Sequence, residues 1–222
     1  MRTDSPLETL ENTPEIAPGD AAAVLAWAEL QFGNALVFTS SFEEPVLLHL
    51  VATHAPSARI VFLDTQYHFP ETLEYRDELA QQLGISVEVI HPLPEIQPDE
   101  RYRNDAEGCC FVRKVEPLRR CLQGADAWIT GIRRIDGPTR AGAPRVSRDA
   151  TRDLVKLNPI VDWDDEQMEA YVLANDLPEH PLKSQGYLSI GCAPCTQPVA
   201  EGQDRRAGRW AGLDKTECGL HL

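Results

Sequence analysis

Hydrophobic residues change period several times along this chain. After Asp20 the stretch AAAVLAWAELQF sets Val24, Leu25, Trp27, Ala28 and Leu30 on one helical stripe, with Asp20 as N-cap and Gly33 as stop. ALVFTS (35–40) is a short apolar run of strand type, and SSFEE is a loop. Pro45 opens the helix PVLLHLVATH. RIVFLD (59–64) predicts a second buried strand, followed by the loop TQYHFP, the helix ETLEYRDELAQQLG and the strand SVEVIHP. Residues 92–107 form a long proline-rich and charged connection. Two helical pieces, 109–116 and 117–123, are expected to break at Pro117. DAWITGI (126–132) predicts another buried strand, RRIDGPTRAGAP a basic loop, 145–161 extended chain, and DDEQMEAYVLAND a helix with acids at its start. Beyond Asp176 the chain is loop-rich.

Strands alternating with helices imply βαβ units and a mostly parallel sheet covered on both faces, an α/β nucleotide-binding architecture with a C-terminal extension. Three parts are expected: a flexible arm over 1–19, an α/β domain over 20–200 and a mobile tail over 201–222. In such sheets ligands bind beyond the carboxyl ends of the strands. Three loops stand there: Thr39 to Phe42, Asp64 to Tyr67, and Gly131 to Arg140.

Charge narrows the choice of ligand. The 222 residues carry a formal charge of −14. Residues 1–99 hold only Arg2, Arg59 and Arg76 against sixteen acids, whereas 101–156 hold thirteen basic residues, and Arg205, Arg206 and Arg209 cluster near the end. The mean charge argues against nucleic acid, while a local basic pocket suits a small polyanion. No stretch approaches the roughly 18 apolar residues of a membrane span, and the acidic N-terminus lacks the apolar core of a signal peptide, so retention in the cytoplasm is expected.

Six cysteines without an export signal point to metal or redox chemistry before structural disulfides. The pair Cys109–Cys110 and the turn Cys192-Ala-Pro-Cys195 together supply four thiolates. Vicinal side chains diverge by about 100° on a helix, which fits the separate corners of a four-iron cube better than one zinc ion. Zinc, a disulfide and free thiols remain alternatives. Lys114 follows Cys110 by four residues and shares its helical face, where an ammonium balances thiolate charge or meets a bound anion. Its bland alternative is a solvated lysine. Cys121, between Leu118 and Leu122, reads as a core residue.

Cys218 stands apart, in Glu217-Cys218-Gly219-Leu220-His221 near the end of the chain. A lone cysteine on a tail with a glycine hinge and a nearby histidine suits a nucleophile that docks and withdraws; an incidental thiol is the plain alternative. Arg205, Arg206 and Arg209 form either a solvated run or a clamp for an anion.

LDTxxxFPET (63–72), TGIRR (130–134), the two cysteine pairs and ECGLH (217–221) together resemble the assimilatory sulfonucleotide reductases, in their adenylyl-sulfate (APS) reductase branch. The resemblance runs from about residue 20 to the end. It implies a Rossmann-like adenine-nucleotide-binding fold and one [4Fe-4S] cluster on Cys109, Cys110, Cys192 and Cys195. It implies a modified pyrophosphate loop at Ser40, Ser41 and Phe42, with Leu63 and Asp64 bordering the nucleoside. Lys114, Arg206, Arg209 and His221 would surround the phosphosulfate, with Arg133 and Arg140 in the arginine loop. The first loop has none of the glycines of the SGGxDS pattern used by ATP-consuming relatives.

The implied reaction is reduction of APS to sulfite and AMP through an S-sulfocysteine on Cys218, with thioredoxin as reductant. Oligomeric state stays open. Alternatives are reduction of the 3′-phosphorylated substrate, a tRNA-thiolating relative with an ATP loop, and a non-enzymatic redox sensor.

Overall fold

The computed structural model describes residue 10 and residues 13–200, 202–213 and 215–221. A six-stranded sheet lies at its centre, in the order β3-β2-β1-β4-β6-β5. The strands are β1 (Leu36–Ser40), β2 (Arg59–Leu63), β3 (Val87–Ile90), β4 (Ala127–Ile129), β5 (Val146–Asp149) and β6 (Leu154–Leu157). All neighbours run parallel except β5, which folds back antiparallel on β6. The stretch 145–161, expected to be extended, is therefore a hairpin at the sheet edge.

Alternation along the strands divides the sheet between two cores. Leu36, Phe38, Ile60, Phe62, Ala127, Ile129, Val155 and Leu157 face one side. There they meet α1 (Ala21–Phe32), α2 (Val46–His54), α3 (Pro70–Leu83) and α7 (Asp165–Ala174) through Val24, Leu25, Leu47, Val51, Leu79 and Val172. The intervening Val37, Val61, Leu63, Trp128 and Leu154 face the other side. Among the described residues α6 (Glu116–Cys121) packs there with Leu118 and Cys121, joined by Leu220 of the C-terminal tail.

Local chemistry sets the helix ends. Asp20 Oδ1 accepts from the Ala23 amide at 2.9 Å, as an N-cap should. Pro70 opens α3, and Gly84 closes it in the left-handed region at φ 63°. Asp164 and Gln167 form a reciprocal capping box on α7.

One expectation is corrected. Pro117 does not break the chain into two helices. The helix runs on from α5 (Ala106–Cys110, preceded by the short α4, Arg101–Asn104) through a π-helical turn at Phe111–Val115 into α6. In that widened turn the Glu116 amide reaches back to the Phe111 carbonyl, so the proline, which has no N–H, sits in the first turn of α6 without interrupting it. In the arm expected over 1–19, Leu10 and Ile16 pack on the core, and Arg145 donates to the Ile16 carbonyl at 2.7 Å. Residues 1–9, 11 and 12 of that arm lie outside the described residues.

Candidate active site

The chain leaves β1 on one side of the sheet and enters β4 on the other, so the carboxyl ends of these neighbours form a switch point. A cleft of about 500 Å³ opens there, lined by Thr39, Ser40 and Ser41 at the end of β1, Leu63 and Thr65 at the end of β2, and Thr130 and Gly131 just after β4. That volume suits a mononucleotide. Ser40 Oγ accepts from the Phe42 amide at 3.1 Å, and Phe42 adopts φ +55°, a strained setting for a bulky residue. Its ring turns into the core, edge-on to Phe62 at 5.6 Å, so Phe42 shapes the loop from behind and does not line the cleft. Asp64 is also outside the lining: Oδ1 accepts from the Gln66 amide at 2.8 Å and Oδ2 lies 3.5 Å from His91 Nδ1.

One wall is cationic despite the acidic mean. Lys114, Arg133, Arg140, Arg205, Arg206 and Arg209 all line the cleft. Arg133 is 3% exposed; its Nη2 binds Asp136 at 2.9 Å and Asp165 at 2.8 Å, while Nη1 is buried without a partner. Arg209 stacks on Trp210 at 4.7 Å and donates to Ser189 Oγ at 3.3 Å. A Cβ at Gly191 would overlap that guanidinium, so a side chain there would have to displace Arg209.

Cys109 and Cys110 end α5 where the helix widens. With Cys192 and Cys195 they line a second, small cavity closed by Tyr67, Tyr102, Arg113, Lys114 and Trp210. None of these cysteines is in a disulfide. The loop that carries the second pair is anchored: the Ala193 amide donates to Tyr67 O at 2.7 Å, and Thr65 Oγ1 lies 3.2 Å from Cys192 Sγ. Burial, with Cys110 and Cys192 alongside, pushes the Cys109 thiol up to about 11. Arg113 is 1% exposed and is spent on Gln66 Oε1 at 2.7 Å and Gln97 O at 2.6 Å. Among the described residues no three acidic, histidine or cysteine side chains converge as they would on a single metal ion.

Lys114 borders both cavities. Burial opposes its charge, but Cys192, Cys218 and Cys110 outweigh that and hold the ammonium up at about 12. It is no solvated surface lysine.

The tail lies over the cleft. Cys218 lines the cleft wall, as do Leu220 and His221. Glu217 is bound by Arg140, Arg206 Nη2 donates to Thr216 O at 2.9 Å, Arg152 donates to Leu220 O at 3.0 Å, and Lys215 pairs with Glu107. Cys121, expected in the core, is 4% exposed and donates to Leu118 O.

Sequence reasoning missed Thr65, Trp210, Asp136 and Glu217 as site residues. Trp128 looked like an ordinary core residue of a strand, although it carries His221 on its face. A composition signal existed for Trp210, an aromatic beside three arginines.

Comparison with known proteins agrees with this architecture. The family model described as the phosphoadenosine phosphosulfate reductase domain matches residues 34–198. A Rhodococcus erythropolis protein named adenosine 5′-phosphosulfate reductase is 43% identical, over 93% of this chain and 90% of its own. One of the same name from Mycolicibacterium smegmatis is 45% identical, over 94% of this chain and 91% of its own. Among solved structures, the phosphoadenylyl-sulfate reductase of Candida auris in a phosphate complex superposes with a TM-score of 0.71. It is 26% identical and covers 87% of this chain and 96% of its own. The chain thus belongs to the phosphoadenosine phosphosulfate reductase domain family.

Proposed function

We propose that this chain reduces adenosine 5′-phosphosulfate to sulfite and AMP, with Cys218 as nucleophile and thioredoxin as reductant. The observation that carries the reading is Cys218 on the wall of a nucleotide-sized cleft that also holds Lys114 and the arginines. The name shared by relatives at 43% and 45% identity supports the choice of substrate.

In this reading Ser40 and Ser41, with the backbone around Phe42, hold the phosphate side of the nucleotide, and Leu63 packs on the nucleoside. Lys114, Arg133, Arg206 and Arg209 neutralise the phosphosulfate and the departing AMP. The Cys218 thiolate attacks the sulfate sulfur; an S–S bond forms and the S–O bond to AMP breaks, leaving an S-sulfocysteine. A thioredoxin thiolate then attacks Cys218 Sγ and expels sulfite. Its second thiol resolves the mixed disulfide, so two electrons pass from thioredoxin to sulfur. The tail over 201–222 opens for thioredoxin and closes for transfer.

Four unbridged thiols around one cavity, with a buried cationic Lys114 beside them, fit one [4Fe-4S] cluster on Cys109, Cys110, Cys192 and Cys195. When bound it would tie α5 to the 192–195 loop and supply negative charge next to Lys114. No helix among the described residues is long and apolar enough to cross a membrane. We assign the reaction to the cytoplasm, where the six cysteines stay reduced or metal-bound.

The test is sulfite release from APS and from its 3′-phosphorylated form, side by side, with reduced thioredoxin and no ATP. Sulfite from APS is expected. Release from neither substrate would overturn the reading.

A further inference from the structure

The arginine loop and the tail meet in one closed contact. Arg140 Nε donates to Glu217 Oε1 at 2.8 Å and Nη2 to Oε2 at 2.9 Å, a two-point fork on one carboxylate. Its remaining Nη1 lies 3.5 Å from Asp136 Oδ2. Thr139 Oγ1 adds a bond to Glu217 Oε1 at 3.1 Å, and Arg206 Nη2 lies 3.3 Å from Oε2. The Arg140 and Glu217 side chains are 12% and 13% exposed, so water screens the pair little. Three of the five N–H groups of Arg140 thus point at carboxylates, two of them in the fork on Glu217. Arg133 differs, with a buried Nη1 that has no partner.

Glu217 immediately precedes Cys218. A residue held at its carboxylate by a rigid fork restricts the backbone on both sides, and here the next side chain is the sulfur on the cleft wall. Gly219 turns the chain at φ +83°, and Leu220 and His221 then pack on the sheet, so the fork fixes one end of the segment that carries the thiol.

We propose that the Glu217–Arg140 pair is a latch that seats Cys218, and that Arg140 is a positioning residue acting through the tail rather than a ligand of the substrate. The proposal rests on the reductase reading for its kinetic consequences, but the latch itself is a property of the tail and can be read without APS.

The experiment uses the full chain and three variants: Glu217→Gln, Arg140→Gln and the double variant. Iodoacetamide labelling of Cys218, followed by peptide mass, reads seating; AMP titration reads the cleft; sulfite release reads turnover. A seated thiol labels slowly, so each single variant should label faster by roughly tenfold or more. The double variant should label no faster than the singles, because either change opens the same contact. AMP affinity should stay within about twofold of wild type, which also shows the cleft is folded, and kcat should fall while KM for APS does not move. Were Arg140 a substrate ligand instead, Glu217→Gln would free the fork and tighten AMP binding while Arg140→Gln weakened it. That pattern, or unchanged labelling in both single variants, overturns the latch. Faster labelling in variants of a protein that never releases sulfite would support the latch while sinking the reductase reading.

Discussion

The imidazole of His221 stacks on the indole of Trp128, with ring centroids 5.4 Å apart and planes 15° from parallel. Trp128 is fully buried in β4 and its Nε1 donates to Thr39 Oγ1 at 2.8 Å near the end of β1. One indole therefore connects the tail that carries Cys218 to the strand end that lines the cleft.

Burial of that imidazole makes tail docking dependent on pH. Burial first, then the cations Lys156, Arg140 and Arg152, against only Glu217, hold the His221 imidazole down at about 3. A released tail would titrate near the ordinary value of about 6.5. Between those values the released form binds a proton that the docked form does not, so docking weakens as pH falls below about 6.5, by up to about tenfold per pH unit. Amide hydrogen exchange over 215–221, corrected for the intrinsic rate, should show this slope, and His221→Asn should flatten it. An equal slope in that variant would assign the effect to another group.

Cys218→Ser should retain AMP binding and release no sulfite, since a serine hydroxyl is far less ionised than a thiol and cannot form a thiosulfonate. Wild-type protein given APS without thioredoxin should gain the mass of one SO₃ group on the peptide containing Cys218. Appearance of that mass on Cys121, buried at 4% exposure, would refute the assignment.

Anaerobically purified protein should be brown, with about four irons and four sulfides per chain. Replacing Cys192 with Ser should bleach it and loosen the loop that Thr65 and Tyr67 hold. A colourless wild type carrying one tight zinc would exclude the cluster.

Lys114→Ala should keep the iron and lose turnover. Removing a charge-assisted contact from a desolvated anion costs about 1.5–3 kcal/mol, a factor of roughly ten to a hundred in rate. Full activity in a variant with full iron content would return Lys114 to a structural role.

Period and punctuation carried much of the fold. Asp20, Gly33, Pro45 and Gly84 marked helix ends because each acts through its own backbone or its nearest turn. The four grouped cysteines were legible because spacing alone brings each pair together. Long-range relationships were not legible in the same way. Glu217 meets Arg140 across 77 positions and His221 meets Trp128 across 93, and the ECGLH stretch marks the tail without naming the distant residues it meets. Phe42 and Asp64 stood at the expected loops, but a left-handed φ and an Asx turn direct their side chains elsewhere. Pro117 misled because a proline breaks a regular helix, and periodicity does not reveal that the preceding turn is wider.

That wider turn sets the angular phase between two parts of one helix. A π turn amounts to one residue inserted into an α-helix. Upstream of it the thiols of Cys109 and Cys110 point at the second cavity; downstream Leu118 and Cys121 point at the sheet. Because the wide turn absorbs its extra residue, deleting one residue between Phe111 and Val115 would close it to ordinary α geometry and leave the two sets in phase, whereas one residue more would turn one set past the other by about 100°. An insertion here should therefore lose the cysteine site before it loses the fold, while a one-residue deletion that spares Arg113 and Lys114 should keep both.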